Sequence, residues 1–457
     1  MQHSYDALDR PGGFTRLNLL TPLRHRDFRL LWSGMTVSLL GDGIFLVAMA
    51  WQVYNVWNAP AALSMVGIAM TVPTIVCLVP GGVVSDRLSR RGIMLAADAV
   101  RALAIAVLAG LSITGRVEIW EIAVLAMVYG AGTAFFTPAF EALVPDILPA
   151  SDLPAANSLD QFVRPIALRL AGPAVGGWLI AAFGPGIAFA ADAASFAVAG
   201  VAVLALRPVP RHVPEGLSVM ADIRGGLGFI RGRTWIWGTL VSAAFAYLLF
   251  LGPTEVLLPY VVKNGLHGSA GMLGAVFAAG GIGSIAAAVL MGQREQPRRQ
   301  VTFIYVVWTL ATLAVAGYGL ATATWQLVVA CLLFNALETA GTIVWATLKQ
   351  RHVPASMLGR VSSLDWLISI GLLPLSFALT APVTEMIGAR MTLVGAGVGG
   401  AVITFAALFL PGMRDVEREE PAAEPEEAPA DVPVDVVIVA TVLHQAPPVA
   451  AATRMHP

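Results

Sequence analysis

The chain has 457 residues, 57% hydrophobic and 12% charged, with a mean hydropathy of +0.75. A soluble protein carries about twice that charge, so the composition describes a membrane protein. The formal net charge of −1 argues against a nucleic-acid partner, and two cysteines far apart in apolar runs, Cys77 and Cys331, argue against a disulfide framework or a thiolate metal site.

Residues 1–29 mix charges and prolines without an apolar core, which is not the pattern of a cleaved signal peptide. Arg10, Arg16, Arg24, Arg26 and Arg29 place this segment in the cytoplasm. Apolar runs of about 20 residues, the length that crosses a bilayer, follow at 30–54, 61–84, 93–114, 119–141, 161–183 and 186–206, and again at 235–260, 270–291, 301–321, 325–347, 362–384 and 391–411. That predicts an all-α membrane protein of twelve transmembrane helices in two six-helix bundles, 30–206 and 235–411. The stretch 207–234 links them. Within it Leu217, Met220, Ile223, Leu227 and Ile230 recur at helical spacing and predict a short interfacial helix. Beyond residue 411 the composition turns acidic and rich in proline and alanine, so 412–457 is expected to form a disordered tail.

Basic residues test this topology. Loops expected inside carry Arg87, Arg90, Arg91, Arg207, Arg211, Arg224, Arg231, Arg233, Arg294, Arg298, Arg299, Lys349, Arg351 and Arg360. Loops expected outside carry only Arg116, Lys263 and Arg390. Both termini then face the cytoplasm of a bacterial inner membrane. An internal repeat supports the two halves. Pro149-Ala150-Ser151-x-Leu153 returns as Pro354-Ala355-Ser356-x-Leu358, and Ser158-Leu159-Asp160 as Ser363-Leu364-Asp365, both at an offset of 205. Asp160 and Asp365 read as acids at helix starts, where they favour the helix dipole.

Acids inside a membrane span are costly and mark function. Asp42 lies mid-span between Gly41 and Gly43; Glu338 lies mid-span with Asn335 one turn earlier; Glu255 and Asp192 lie in the expected outer halves of their spans. An embedded carboxylate can load and release a proton as its access alternates, which makes Asp42, Glu338 and Glu255 the proton-coupling candidates. The structural alternative makes Asp42 the counter-charge of Arg164 or Arg169 in span five, and places Glu255 at a solvated helix end. Asp98 and Arg101, one turn apart, extend the charge of the short loop Gly82–Arg91. Gln52, Phe136 and Asn335, with Trp51, Phe135 and Trp345, are candidates for a substrate pocket. Trp32, Trp120, Trp235 and Trp325 at expected helix ends read as interfacial anchors. Lys263 and Lys349, the only lysines, lack a P-loop context, and no histidine pair has metal spacing, so no cofactor or metal is expected and the chain is not expected to be an enzyme.

The loop pattern Gly82-x-x-x-Asp86-Arg87-x-x-Arg90-Arg91 resembles the loop between helices two and three of the major facilitator superfamily, with Ser89 where that family carries a second glycine. Gly172-Pro173-Ala174-Val175-Gly176-Gly177 in span five resembles the antiporter motif of its exporters, with Leu168 in place of the upstream glycine. Leu39–Gly43, Phe136–Phe140, Val144–Asp146, Ala156–Leu159 and Ala193–Phe196 are similar to the branch of enterobactin exporters, macrolide efflux proteins and drug:proton antiporters. The resemblance implies a monomeric secondary transporter with the major facilitator fold. It would export a small amphipathic compound by rocking of the two bundles, in exchange for protons. The loop would latch the bundles on the cytoplasmic side. A proton-coupled importer and a transport-inactive sensor are the alternatives.

Overall fold

The computed structural model describes residues 20–149, 152–207, 219–293 and 296–418, and one compact body extends to Glu417. Within it twelve spans are long and apolar enough to cross a membrane. In chain order the helices are α1 Arg26–Val56, α2 Pro60–Arg87, α3 Arg90–Ile113, α4 Ile119–Ile147, α5 Leu153–Arg164, α6 Gly172–Phe183 and α7 Pro185–Leu204. After α8 Val219–Arg231 come α9 Thr234–Tyr260, α10 Ala270–Gly292, α11 Gln300–Leu320, α12 Thr324–His352, α13 Ala355–Ile370, α14 Leu373–Ile387 and α15 Ala389–Ala407. The fifth span is α5 and α6 joined by a π-helical turn, Pro165–Ala171. The eleventh is α13 and α14.

The repeat sets the packing. α2 packs on α4, α3 on α4, and α7 on α1 and α3; α10 packs on α12, α11 on α12, and α15 on α9 and α11, which is the same scheme in the second bundle. The helices α4 and α12 each have 29 residues, and both their starts (119 and 324) and their ends (147 and 352) keep the 205-residue offset. Trp120 and Trp325 open these helices at equivalent positions and both are exposed, as anchors at a membrane surface would be. Between bundles, α6 meets α10 and α2 meets α14.

Several expectations change. The stretch Gly82–Arg87 is the last turn of α2 rather than a loop, and only Leu88 and Ser89 connect it to α3. Ser89 caps α3, its Oγ accepting from the Gly92 amide at 3.1 Å. Asp160 and Asp365 lie inside α5 and α13, because those helices begin at Leu153 and Ala355; both pair with cations instead of capping. The described part of α8 lies against the second bundle: Ile230 is buried in a cluster with Trp235, Val361 and Leu364. Leu217 and the side chains of Met220 and Ile223 lie outside the described residues. Trp235 is no surface anchor, being buried against Trp345 and His352. Met413 is fully buried and Glu417 accepts from the Thr302 amide at 2.6 Å, so the body continues past residue 411. Residues 419–457 lie outside the described ones.

Candidate functional site

Asp42 is held by its glycines. A Cβ at Gly41 would lie 2.5 Å from Asp192 Oδ1, and one at Gly43 would lie 2.8 Å from the Leu168 carbonyl and 2.9 Å from Gly172 Cα. Only bare backbone lets α1 be clamped between α7 and the fifth span at this level. Asp42 Oδ1 accepts from the Tyr129 hydroxyl of α4 at 2.6 Å. Of the cations whose charge acts on Asp42, Arg101 of α3 acts more strongly than Arg164.

Arg101 organises the rest. Its Nη2 donates to Asp98 Oδ1 at 2.5 Å, and both side chains are at most 3% exposed. Its guanidinium lies between the rings of Phe136 and Phe196, 4.4 and 4.5 Å from their centroids. Gly132 makes room for it: a Cβ there would sit 2.8 Å from Arg101 Cγ. Asp192, with no solvent contact, accepts from Ser195 Oγ at 3.3 Å through Oδ1. Asp98 Oδ2, Asp192 Oδ2 and Arg101 Nε have no partner. Arg101 pairs with Asp98, and its charge also acts on Asp42 and Asp192, so three buried or half-buried acids share one guanidinium; burying an uncompensated ion costs several kcal/mol. Among the described residues no group of acids, cysteines and histidines has the arrangement of a metal site.

Neither arginine of the fifth span neutralises Asp42 directly. Arg164 pairs with Asp160 at 3.2 Å, one turn away. Arg169 donates from Nη1 to Asn335 Oδ1 on α12 at 2.9 Å, across the seam between the bundles. The charge of Arg169 also acts on Glu255, which is exposed. Glu338 accepts from Thr342 at 3.0 Å and lines a small cavity in the second bundle with Tyr247, Phe250, Trp308 and Phe334. Asp42, Glu255 and Glu338 are thus not one site: Asp42 belongs to a cluster within the first bundle, the other two to the second.

Gln52 leaves the pocket candidates, because it is 6% exposed and accepts from Ser112 at 2.8 Å between α1 and α3. Phe136 covers Arg101. Tyr129 was missed by sequence reasoning; its signal was a phenol in the middle of an otherwise apolar span.

The exporter-like glycines form the seam. Gly172 and Gly176 face α1, where a Cβ would lie 2.6 Å from Gly43 Cα and 2.9 Å from Ile44 Cα. Gly177 faces the other bundle, 2.8 Å from the Ala270 carbonyl and 3.0 Å from Gly274 Cα of α10. The π-helical turn just before Gly172 brings the Arg169 carbonyl against Gly281, 2.7 Å from the Cβ position. At the α1–α2 end, Asn58 and Asn264 exchange amide bonds of 2.6 and 3.0 Å, Lys263 donates to Tyr54 O and Asn55 Oδ1 at 2.6 Å, and the Tyr54 hydroxyl donates to Val256 O at 2.5 Å. Among the described residues, every side-chain hydrogen bond between bundles lies at this end or at Arg169. At the opposite end Arg90 and Arg91 bond within their own bundle, to Asp146 and Ala142 of α4 and to the carbonyls of Val203 and Leu204. The side chains of Gly82, Asp86 and Arg87 lie outside the described ones.

A family model described as "Transmembrane secretion effector" matches residues 18–439. The chain belongs to this family. Among curated relatives, the family member is 25% identical over 402 residues to the multidrug efflux pump Tap of Mycolicibacterium fortuitum, covering 85% of this chain and 96% of the relative. It is 22% identical to macrolide efflux protein A of Streptococcus pyogenes (86% and 96% covered) and 24% identical to the enterobactin exporter EntS of Citrobacter koseri (86% and 93%). Its fold is that of solved transporters: a bacterial homologue of the iron transporter ferroportin in the inward-facing state (TM-score 0.61, 16% identity, covering 84% and 99%) and a bacterial homologue of human Spinster (0.62, 15%, 88% and 100%). The transmembrane secretion effector described here is therefore a multi-pass membrane transporter of the major facilitator superfamily, and not an enzyme.

Proposed function

We propose that this transporter exports a small amphipathic compound by alternating access, driven by protons that enter from outside. The observation that carries the reading is the cluster of Asp42, Asp98 and Asp192 about the single guanidinium of Arg101. Three carboxylates and one cation balance only when two of the acids are protonated, and two carboxyl oxygens have no donor to hold them charged. Asp42 is the partly exposed member, beside Gly43 and Gly172 of the seam, and it passes the proton to and from the seam. Glu255, Glu338, Arg169 and Asn335 serve the substrate side.

Rocking follows from the glycine seam. Amide bonds close the α1–α2 end, which the arginine distribution assigns to the outside. In the outward-open state the Gly82–Arg91 stretch would exchange bonds such as Arg90–Asp146 for contacts with the second bundle, acting as the cytoplasmic latch. The relatives named above are efflux proteins, which supports the direction.

Proteoliposomes with an imposed pH gradient test this. Asp42→Asn is expected to abolish uphill export while downhill exchange of substrate survives. Uphill export by Asp42→Asn with an unchanged pH dependence would refute the assignment.

A further inference from the structure

The exact offset of the repeat lets one half of the molecule explain a cavity in the other. In the second bundle, Asp365 of α13 accepts from Trp345 Nε1 at 2.9 Å and pairs with Lys349 Nζ, both residues of α12. Lys349 lies over the Trp345 ring, 5.2 Å from its centroid. An indole, a primary ammonium and, at 3.3 Å, the Ser369 hydroxyl thus partner this acid. The positions 205 residues earlier are Asp160, Phe140 and Val144. There the lysine is missing, and among the described residues Asp160 pairs with the partly exposed Arg164 one turn along its own helix.

What remains is a cavity of about 380 Å³ between α1, α4 and α5. Its walls are apolar and aromatic, with Phe28, Trp32, Met35, Phe140 and Val144, and its polar groups are Glu141, Asp160 and Arg164. Glu141 stands where the second bundle has Ala346, and among the described residues it has no hydrogen-bond or ion-pair partner. Trp32 Nε1 is buried with no acceptor. Two acids against one guanidinium leave one negative charge in a half-apolar space, with one donor unused.

We propose that this cavity is a binding site for a primary ammonium carried on an apolar or aromatic body. The ligand's ammonium takes the place that Lys349 fills beside Asp365, between Asp160 and Glu141, and its body lies against Trp32 and Phe140, the latter at the position equivalent to Trp345. The site lies within the first bundle, apart from the seam at Arg169 and Asn335. Its ammonium can belong to a free amphipathic amine or to an ethanolamine lipid headgroup. As the place where an exported amine first enters, it rests on the export reading; as a binding site, it does not.

Tryptamine, an indole bearing a primary ammonium, is the probe, with indole-3-acetate as the anion of the same ring. Binding is measured on the full chain in phosphatidylcholine nanodiscs. The parent protein should prefer tryptamine over indole-3-acetate by about tenfold or more, one ion pair in a partly enclosed site. Glu141→Gln should reduce that preference to about threefold or less, and Val144→Lys, which supplies the ammonium from the chain, should abolish tryptamine binding while Glu141→Gln keeps the elution profile of the parent. Added phosphatidylethanolamine that weakens tryptamine binding in the parent assigns the site to the headgroup; no effect of the lipid assigns it to the free amine. Equal binding of the two indoles, or tryptamine binding that neither substitution changes, overturns the site. Uphill export by Asp42→Asn with an unchanged pH dependence overturns the proton assignment and leaves this result standing.

Discussion

Asp192 and Glu338 are both acids within membrane spans, yet their surroundings differ in kind. Asp192 has no solvent contact, one carboxyl oxygen without a donor, and two further acids around the same guanidinium. Glu338 is half-buried, accepts from Thr342, and lines a cavity with aromatic walls. An acid sealed among other acids can change its charge but cannot touch a ligand, whereas an acid lining a cavity can do both. Asp192 is thus enclosed, and Glu338 is open to a cavity.

The largest effect expected is at the seam where the two centres meet. Gly177→Leu places a side chain into the α10 backbone and should reduce transport about 100-fold or more at normal abundance. Gly176→Leu, which strikes Ile44 inside the first bundle, should instead lower the amount of folded protein. Transport assays paired with size-exclusion profiles separate these two outcomes; identical behaviour would mean that the seam is ordinary helix packing. Next, Asp98→Asn breaks the buried pair with Arg101 and should destabilise the protein by about 3–5 kcal/mol, read as thermal unfolding in detergent. Asp98→Asn combined with Arg101→Met should recover part of that loss.

In the second bundle, Glu338→Gln should change substrate affinity by about tenfold with little change in unfolding temperature. A large loss of stability instead would move Glu338 into the structural class and erase the contrast between the bundles. The smallest effect concerns Gln52. Gln52→Leu removes a single bond to Ser112 and should cost about 1 kcal/mol while leaving the substrate dependence of transport untouched.

The spans were legible because a bilayer demands about 20 apolar residues and satisfied backbone bonds, and nothing local competes with that rule. The repeat was legible because its proline, serine and aspartate residues are rare in apolar sequence. The glycines around Asp42 and in Gly172–Gly177 were also legible as close approaches, though their neighbours were not. The partners of charges were hidden. Arg164 and Arg169 looked like counter-charges for Asp42, but which face of a helix a residue occupies depends on tilt and register. One arginine turned to Asp160, the other across the seam to Asn335, and a tyrosine 87 residues from Asp42 took the bond instead. Asp160 and Asp365 were misplaced for a plainer reason: Pro149–Leu153 and Pro354–Leu358 read as loops, yet helices start within each.

The backbone contact of Gly177 with Gly274 has a mechanical consequence. Two surfaces that meet without side chains have no teeth, and sliding one over the other requires no change of rotamer and opens no socket. Friction at mid-depth is then low in both directions of the cycle. The side-chain bonds that oppose such sliding are Arg169 to Asn335 and the clasp at the rim, where Asn58 and Asn264 exchange amides and Lys263 grips Tyr54 and Asn55. On the proposed rocking cycle, the tempo would be set by these few polar bonds, which water can replace one at a time.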